Sequence, residues 1–159
     1  MAKEDGAVAE RSAPEVKNAP DVVAKWGEPV AKRGFAQIPN YLLLINQFLT
    51  EEASLSAVEL LVLLQIVAAW WKTDDLPYPS MRTLALRSGV PERQVQRAIN
   101  RLDEIGLIKR VRRKKKGVIA SNAYDLSPLV EILNEIPKHY ENAYPRVIKA
   151  KASLSEDPV

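Results

Sequence analysis

A chain of 159 residues, 47% of them hydrophobic, suits one domain of about 100 residues with tails, or one domain with an accessory element. With no cysteine, disulfides and thiolate metal sites are excluded; with one histidine, His139, so are zinc sites built from several imidazoles and two-histidine nickase centres. The net charge is only +3, yet it is distributed unevenly.

The N-terminal stretch MAKEDGAVAERSAPEV is polar and has no apolar core of the kind a signal peptide needs. Residues 1–34 lack periodicity, contain Pro14, Pro20 and Pro29, and balance six basic against six acidic residues. They read as a largely disordered arm, with a helical turn expected at Asp21–Trp26. The fold is expected to begin near Phe35 and run to 137, with 138–159 as a tail. Asn40, after Pro39, is placed as the cap of a helix over Tyr41–Phe48. Ser56 and Glu59 form an S-x-x-E capping box, which predicts a helix from Ala57 to about Lys72. That helix is apolar on nearly every side, as a central buried helix is. Its apolar run, Leu60–Trp71, is interrupted by Gln65 and is shorter than the roughly 20 residues a membrane span requires. A soluble, cytoplasmic and nucleoid-associated protein is therefore expected.

Ser80 is placed as the cap of a third helix, Met81–Arg87, with Leu84 and Ala85 turned inward. Gly89 supplies the left-handed turn. Pro91 is expected at the first position of a fourth helix reaching about Ile105. On that helix Val95, Ala98, Ile99 and Leu102 form a buried stripe. Gly106 ends it. Leu107–Arg113 and Val118–Leu126 are expected as two strands joined by a turn at Lys114–Gly117. Ser127 and Pro128 open a last helix with Leu129, Ile132, Leu133 and Ile136 on one face, and Pro137 is expected to interrupt it.

Ala85, Gly89 and Val95 have the A-x3-G-x5-V spacing that lets two helices cross closely: a small residue, a turn, then an apolar pin. Left facing outward on the fourth helix are Glu92, Arg93, Gln94, Gln96, Arg97, Asn100 and Arg101. Arg can bond guanine, and Asn or Gln can bond adenine, through two hydrogen bonds at once. Arg93, Gln94, Gln96 and Arg97 are the expected base readers, because the N-terminal part of such a helix reaches the bases. Arg101 is the expected phosphate contact. Between Arg82 and Lys116 stand 12 basic and 3 acidic residues, a local charge of +9 that leaves −6 on the rest. Seven of the eight residues from Lys109 to Lys116 are basic: Lys109, Arg110, Arg112, Arg113, Lys114, Lys115 and Lys116. This exceeds what keeping an edge hairpin soluble requires. The lysines are expected along a phosphate backbone or in the minor groove, flanked by Arg110 and Arg112. Ser80 and Arg82 complete the DNA-facing set.

The layout is that of a mainly α fold with a small β-hairpin (α+β), a winged helix-turn-helix. The stretch PSMRTLALRSGVPERQVQRAINRLDEIGLIKRVRR, followed by SNAYDL, resembles the winged helix-turn-helix domain of phage and plasmid replication proteins and related small regulators. The resemblance spans about residues 35–130 and is strongest over 79–126. Pro91 departs from it, since the family usually has a Ser cap there. What the resemblance implies is DNA binding, and a fold alone does not assign a role.

The expected function is sequence-preferring binding of double-stranded DNA by a small transcriptional regulator. The stretch of about 30 residues after the wing favours this over an origin-binding replication protein of phage or plasmid type. A third reading is a protein-interaction module that uses the same fold. No enzyme activity, cofactor or metal is expected, because Glu51–Glu52 and Asp74–Asp75 fall in loops without metal-ligand company. Besides DNA, the partners considered are a second copy of the chain and a protein held by either arm; no membrane is expected.

Overall fold

A computed structural model describes residues 19–140. The described residues fall into two compact units, divided after Ala36. In the first, α1 (Ala19–Trp26) is followed by Gly27 and the single turn α2 (Glu28–Ala31). The helical turn expected at Asp21–Trp26 thus begins two residues earlier. Gly27 makes the break at φ +81°, and its N–H still bonds the Val23 carbonyl at 2.8 Å. Lys32 pairs with Glu28 across one turn at 2.7 Å. The part of the N-terminal arm before residue 19, and the tail after 140, lie outside the described residues.

The second unit starts with α3 (Asn40–Leu43) and a 3-10 turn at Ile45–Gln47. The single helix expected over Tyr41–Phe48 is therefore broken in two, and Pro39, not Asn40, holds the cap position. Asn46 explains the break. Its Oδ1 accepts from the Leu55 N–H at 2.8 Å and its Nδ2 donates to the Leu55 carbonyl at 2.9 Å, closing the loop that leads to the next helix.

That helix, α4 (Ala57–Ala68), carries the expected capping box. Glu59 N–H donates to Ser56 Oγ at 3.2 Å, and Ser56 N–H donates to Glu59 Oε2 at 2.9 Å. It ends at Ala68 rather than near Lys72. Trp70 leaves the helix to pack against the core, Trp71 is exposed, and Lys72 and Asp75 form a tight antiparallel bridge.

Two further helices, α5 (Met81–Ser88) and α6 (Glu92–Glu104), pack on α4 and on each other. Val62, Leu63, Ile66, Leu84, Val95, Ile99 and Leu102 are buried where the three meet. Burying each such side chain is worth about 1.5–3 kcal/mol, so this three-helix junction contributes substantially to the stability of the unit.

The wing differs from the expected pair of long strands. An inner ladder joins β1 (Lys109–Val111) to β4 (Ala123–Asp125), with Arg110 opposite Tyr124. A separate outer ladder joins β2 (Lys114–Lys115) to β3 (Val118–Ile119). The inner ladder rests on the core through buried Ala123 and Tyr124, whereas all four residues of the outer one are exposed. Tyr124 N–H also donates to the Pro77 carbonyl at 2.9 Å, fastening the wing to the loop before α5.

The last helix, α7 (Ser127–His139), runs through Pro137 instead of stopping there. The proline sits in the final turn, where only one helical bond is forfeited. The helix places Leu129 in the main core and Ile136 against Phe48, beside Tyr41 and Tyr140. Asp125 supplies the start signal: its Oδ1 accepts from the Ser127 N–H at 2.9 Å and from the Ser127 hydroxyl at 2.6 Å. These bonds hold the Asp125 carboxyl below its ordinary range, the hydroxyl contributing most.

Candidate nucleic-acid interface

The helix-turn-helix is built from the three positions with the A-x3-G-x5-V spacing. Ala85 is nearly buried and Val95 fully so. Gly89 caps α5 at φ +67°, a left-handed conformation that L side chains rarely adopt. Its N–H bonds the Ala85 carbonyl, and Val90 N–H bonds the same oxygen at 3.2 Å, reversing the chain within two residues. Pro91 is then the cap of α6 in extended conformation, and Glu92 opens the helix, one residue later than expected. No side chain caps that end, so Glu92, an acid in the first turn, is what offsets the positive pole of the helix there.

The stripe Val95, Ala98, Ile99 and Leu102 is buried as expected. It turns the opposite face outward. Glu92, Arg93, Gln94, Gln96 and Arg97 are all exposed. The side chains of Arg93, Gln94 and Arg97 have no hydrogen-bond partner among the described residues and so are free to meet a ligand.

The C-terminal half of the same face is occupied from within. Asn100 and Arg101, expected to face outward, are only half-exposed. Arg101 donates from Nη2 to the Glu52 carbonyl in the loop before α4. Asn100 Oδ1 accepts from Gln96 Nε2 at 3.1 Å and from Arg110 Nη1 at 2.9 Å. Arg110 also donates from Nε to Asp103 Oδ2 at 2.8 Å. The guanidinium of β1 thus bridges two residues of α6 one turn apart. Arg110 is a tie between helix and wing, and Asp103 balances its charge.

Ser80 and Arg82 stand at the entrance to α5. The Ser80 hydroxyl accepts from Thr83 N–H at 3.1 Å and lies 2.9 Å from the Thr83 hydroxyl, so its role here is to start the helix. Arg82 is exposed in the first turn, as is Arg87 in the last.

On the wing, Lys109, Arg112, Lys114, Lys115 and Lys116 are exposed, whereas Arg113 is half-buried. The expected four-residue turn at Lys114–Gly117 is tighter than that: Lys114 and Lys115 belong to β2, and only Lys116 and Gly117 turn. Both have positive φ, 51° and 76°, the requirement of a type I′ hairpin. Arg113 lies over the Tyr78 ring, 3.8 Å from its centroid. Such a contact is worth about 0.5–1 kcal/mol at an exposed site. It anchors the outer hairpin's base to the loop before α5. Beneath Arg110, burial pushes the Tyr124 phenol above its ordinary range, a shift that the nearby guanidinium partly opposes.

Tyr78 and Asp103 were not among the residues singled out from sequence. Tyr78 is 35 positions from Arg113, and no local pattern links them. Asp103 stands three positions after Asn100 on α6, a spacing that could have marked them as joint receivers of one cation.

Residues 53–108 match the family model of a helix-turn-helix domain. The matched span holds α4, α5 and α6 and stops just before the wing. No curated protein matches the chain.

Proposed function

We propose that this protein binds double-stranded DNA with sequence preference and acts as a small regulator of transcription. In this reading the N-terminal half of α6 enters the major groove. Arg93 and Arg97 serve as guanine readers, and Gln94 and Gln96 as adenine readers. Lys109, Arg112 and Lys114–Lys116 lie along the backbone beside it.

The observation that carries the reading is the state of Arg93, Gln94 and Arg97. All three are exposed and unpaired on one face of a helix whose other face is fully buried. The match of residues 53–108 to a helix-turn-helix domain supports the same assignment. Exposed cations on α5 and the wing extend the surface.

Selection of bound duplexes from a random pool tests this directly. A recurring motif is expected, and the affinity for it should fall with salt. With about six to eight phosphate contacts, the slope of log affinity against log salt is about −5 to −7. A near-flat salt response, or no enriched motif, contradicts the reading. A regulator further requires that the selected motif, placed across a promoter, change its output when the protein is present.

A further inference from the structure

The outer hairpin of the wing carries an apolar pair with no structural task within the fold. Val118 is 69% exposed and Ile119 is 79% exposed, among the most exposed large hydrophobic side chains of the described residues. They occupy β3, which among the described residues pairs only with β2, and no described core residue lies on either strand. In an exposed ribbon whose job was only to display charge, polar residues would cost less at both positions. Seven of the eight residues from Lys109 to Lys116 are basic, so the pair follows directly on a strongly cationic stretch, with Gly117 between.

We propose, on the basis of the DNA-binding function above, that this hairpin enters the minor groove and spreads it. The register sets the geometry. Lys114 is opposite Ile119, and Lys115 is opposite Val118. Cross-strand partners share a face of a ribbon, and neighbours along a strand point to opposite faces. Each face of the hairpin therefore presents one β-branched apolar side chain and one lysine. A minor-groove wall has the complementary make-up, with deoxyribose carbon surface inside and phosphate at the rim. Ile119 rests on one wall and Val118 on the other, and the two lysines reach the two rims.

The groove of B-DNA is about 6 Å wide. A ribbon with side chains on both faces needs about 10 Å, by analogy with the spacing of packed sheets. Insertion therefore widens the groove, and the duplex bends away from the wing. The tie from Arg113 to Tyr78 and the Arg110 bonds to Asn100 and Asp103 let the hairpin transmit that load to the helical core.

The test uses the full chain and a 30-base-pair duplex carrying the selected motif, labelled at its ends with a fluorescence donor and acceptor. The variant is Val118→Thr/Ile119→Thr, which keeps the branched shape that the strand favours and removes apolar surface. Wild-type binding should raise energy transfer above that of free DNA. The variant should bind roughly 3- to 30-fold more weakly, with an unchanged salt slope and no rise in transfer. An unchanged thermal midpoint checks that the variant folds. Wild-type binding without a change in transfer overturns the proposal and leaves the DNA function standing. So does a double variant that binds and bends as the wild type does. If the wild type binds no duplex even at low salt, the DNA function itself fails, and the proposal falls with it.

Discussion

Arg110 on the first strand of the wing donates to Asn100 on α6 at 2.9 Å, while its Nε meets Asp103 at 2.8 Å. A residue that sequence alone places among the DNA contacts is thereby committed to the protein's own architecture. It ties α6 to the first strand of the wing, and under the proposed function that tie governs whether helix and hairpin can meet one duplex together.

Replacing Arg110 with Ala should therefore weaken DNA binding by more than the loss of one phosphate contact. Stability should fall little, by less than about 1 kcal/mol, because the Arg110–Asp103 pair is partly exposed to solvent. Arg110→Lys keeps the charge but cannot bridge Asn100 and Asp103 with a planar fork, and it should not restore binding. Titrations of both variants against the selected duplex, with thermal melts alongside, check this. Full rescue by lysine would mean that Arg110 acts by charge alone.

Arg97 and the wing lysines should separate by type of effect. Arg97→Ala should cost roughly 1–3 kcal/mol at the cognate site and relax the preference at one base pair. Replacing Lys114, Lys115 and Lys116 with Ala should weaken binding to every sequence similarly and flatten the salt slope by up to about 3. Competition with mutated sites distinguishes the two. A larger loss of preference from the lysine change than from Arg97→Ala would reverse the assignment.

Two left-handed positions should respond in opposite directions. Gly89, at φ +67°, has open space where a side chain would stand, so Gly89→Ala suffers from backbone strain alone. A loss of about 1 kcal/mol is expected. Lys116 occupies φ 51° with a side chain already present. Lys116→Asn suits the type I′ turn better and should hold or slightly raise stability, by less than about 1 kcal/mol. Chemical denaturation of the two variants checks the contrast.

Tyr124 makes the fold sensitive to alkali. Its folded pKa is raised, chiefly by burial, so the phenol stays protonated in the native state while the unfolded chain ionises. Stability is then fully present below the ordinary tyrosine value near 10 and declines as pH rises through the folded value. Tyr124→Phe should leave stability at neutral pH little changed and blunt that decline. Melts at pH 7 and above pH 10 compare the two, and equal alkaline losses would exclude Tyr124 as the cause.

The legible parts of this protein were those governed by neighbours along the chain. The capping box at Ser56–Glu59, the Ser80 cap, the Gly89 turn and the stripe of α6 are one-turn relationships, so their residue types and spacing suffice. Errors gathered where a distant partner intervened. Asn46, bonded to Leu55, broke the expected helix after Pro39, and the core beneath Ala123 and Tyr124 ended before the outer hairpin, splitting one expected ladder into two.

By itself, then, the sequence determined three helices crossing around a glycine turn and a basic hairpin after them, because hydrophobic period, caps and charge are local properties. Only the tertiary structure decided which basic residues remain available. Arg93 and Arg97 stay free, whereas Arg101 is held by Glu52, Arg110 by Asn100 and Asp103, and Arg113 by Tyr78. Each of those ties joins segments that meet only when the helices pack, and each fixes where its guanidinium points, leaving only the N–H donors outside the tie for a phosphate or a base.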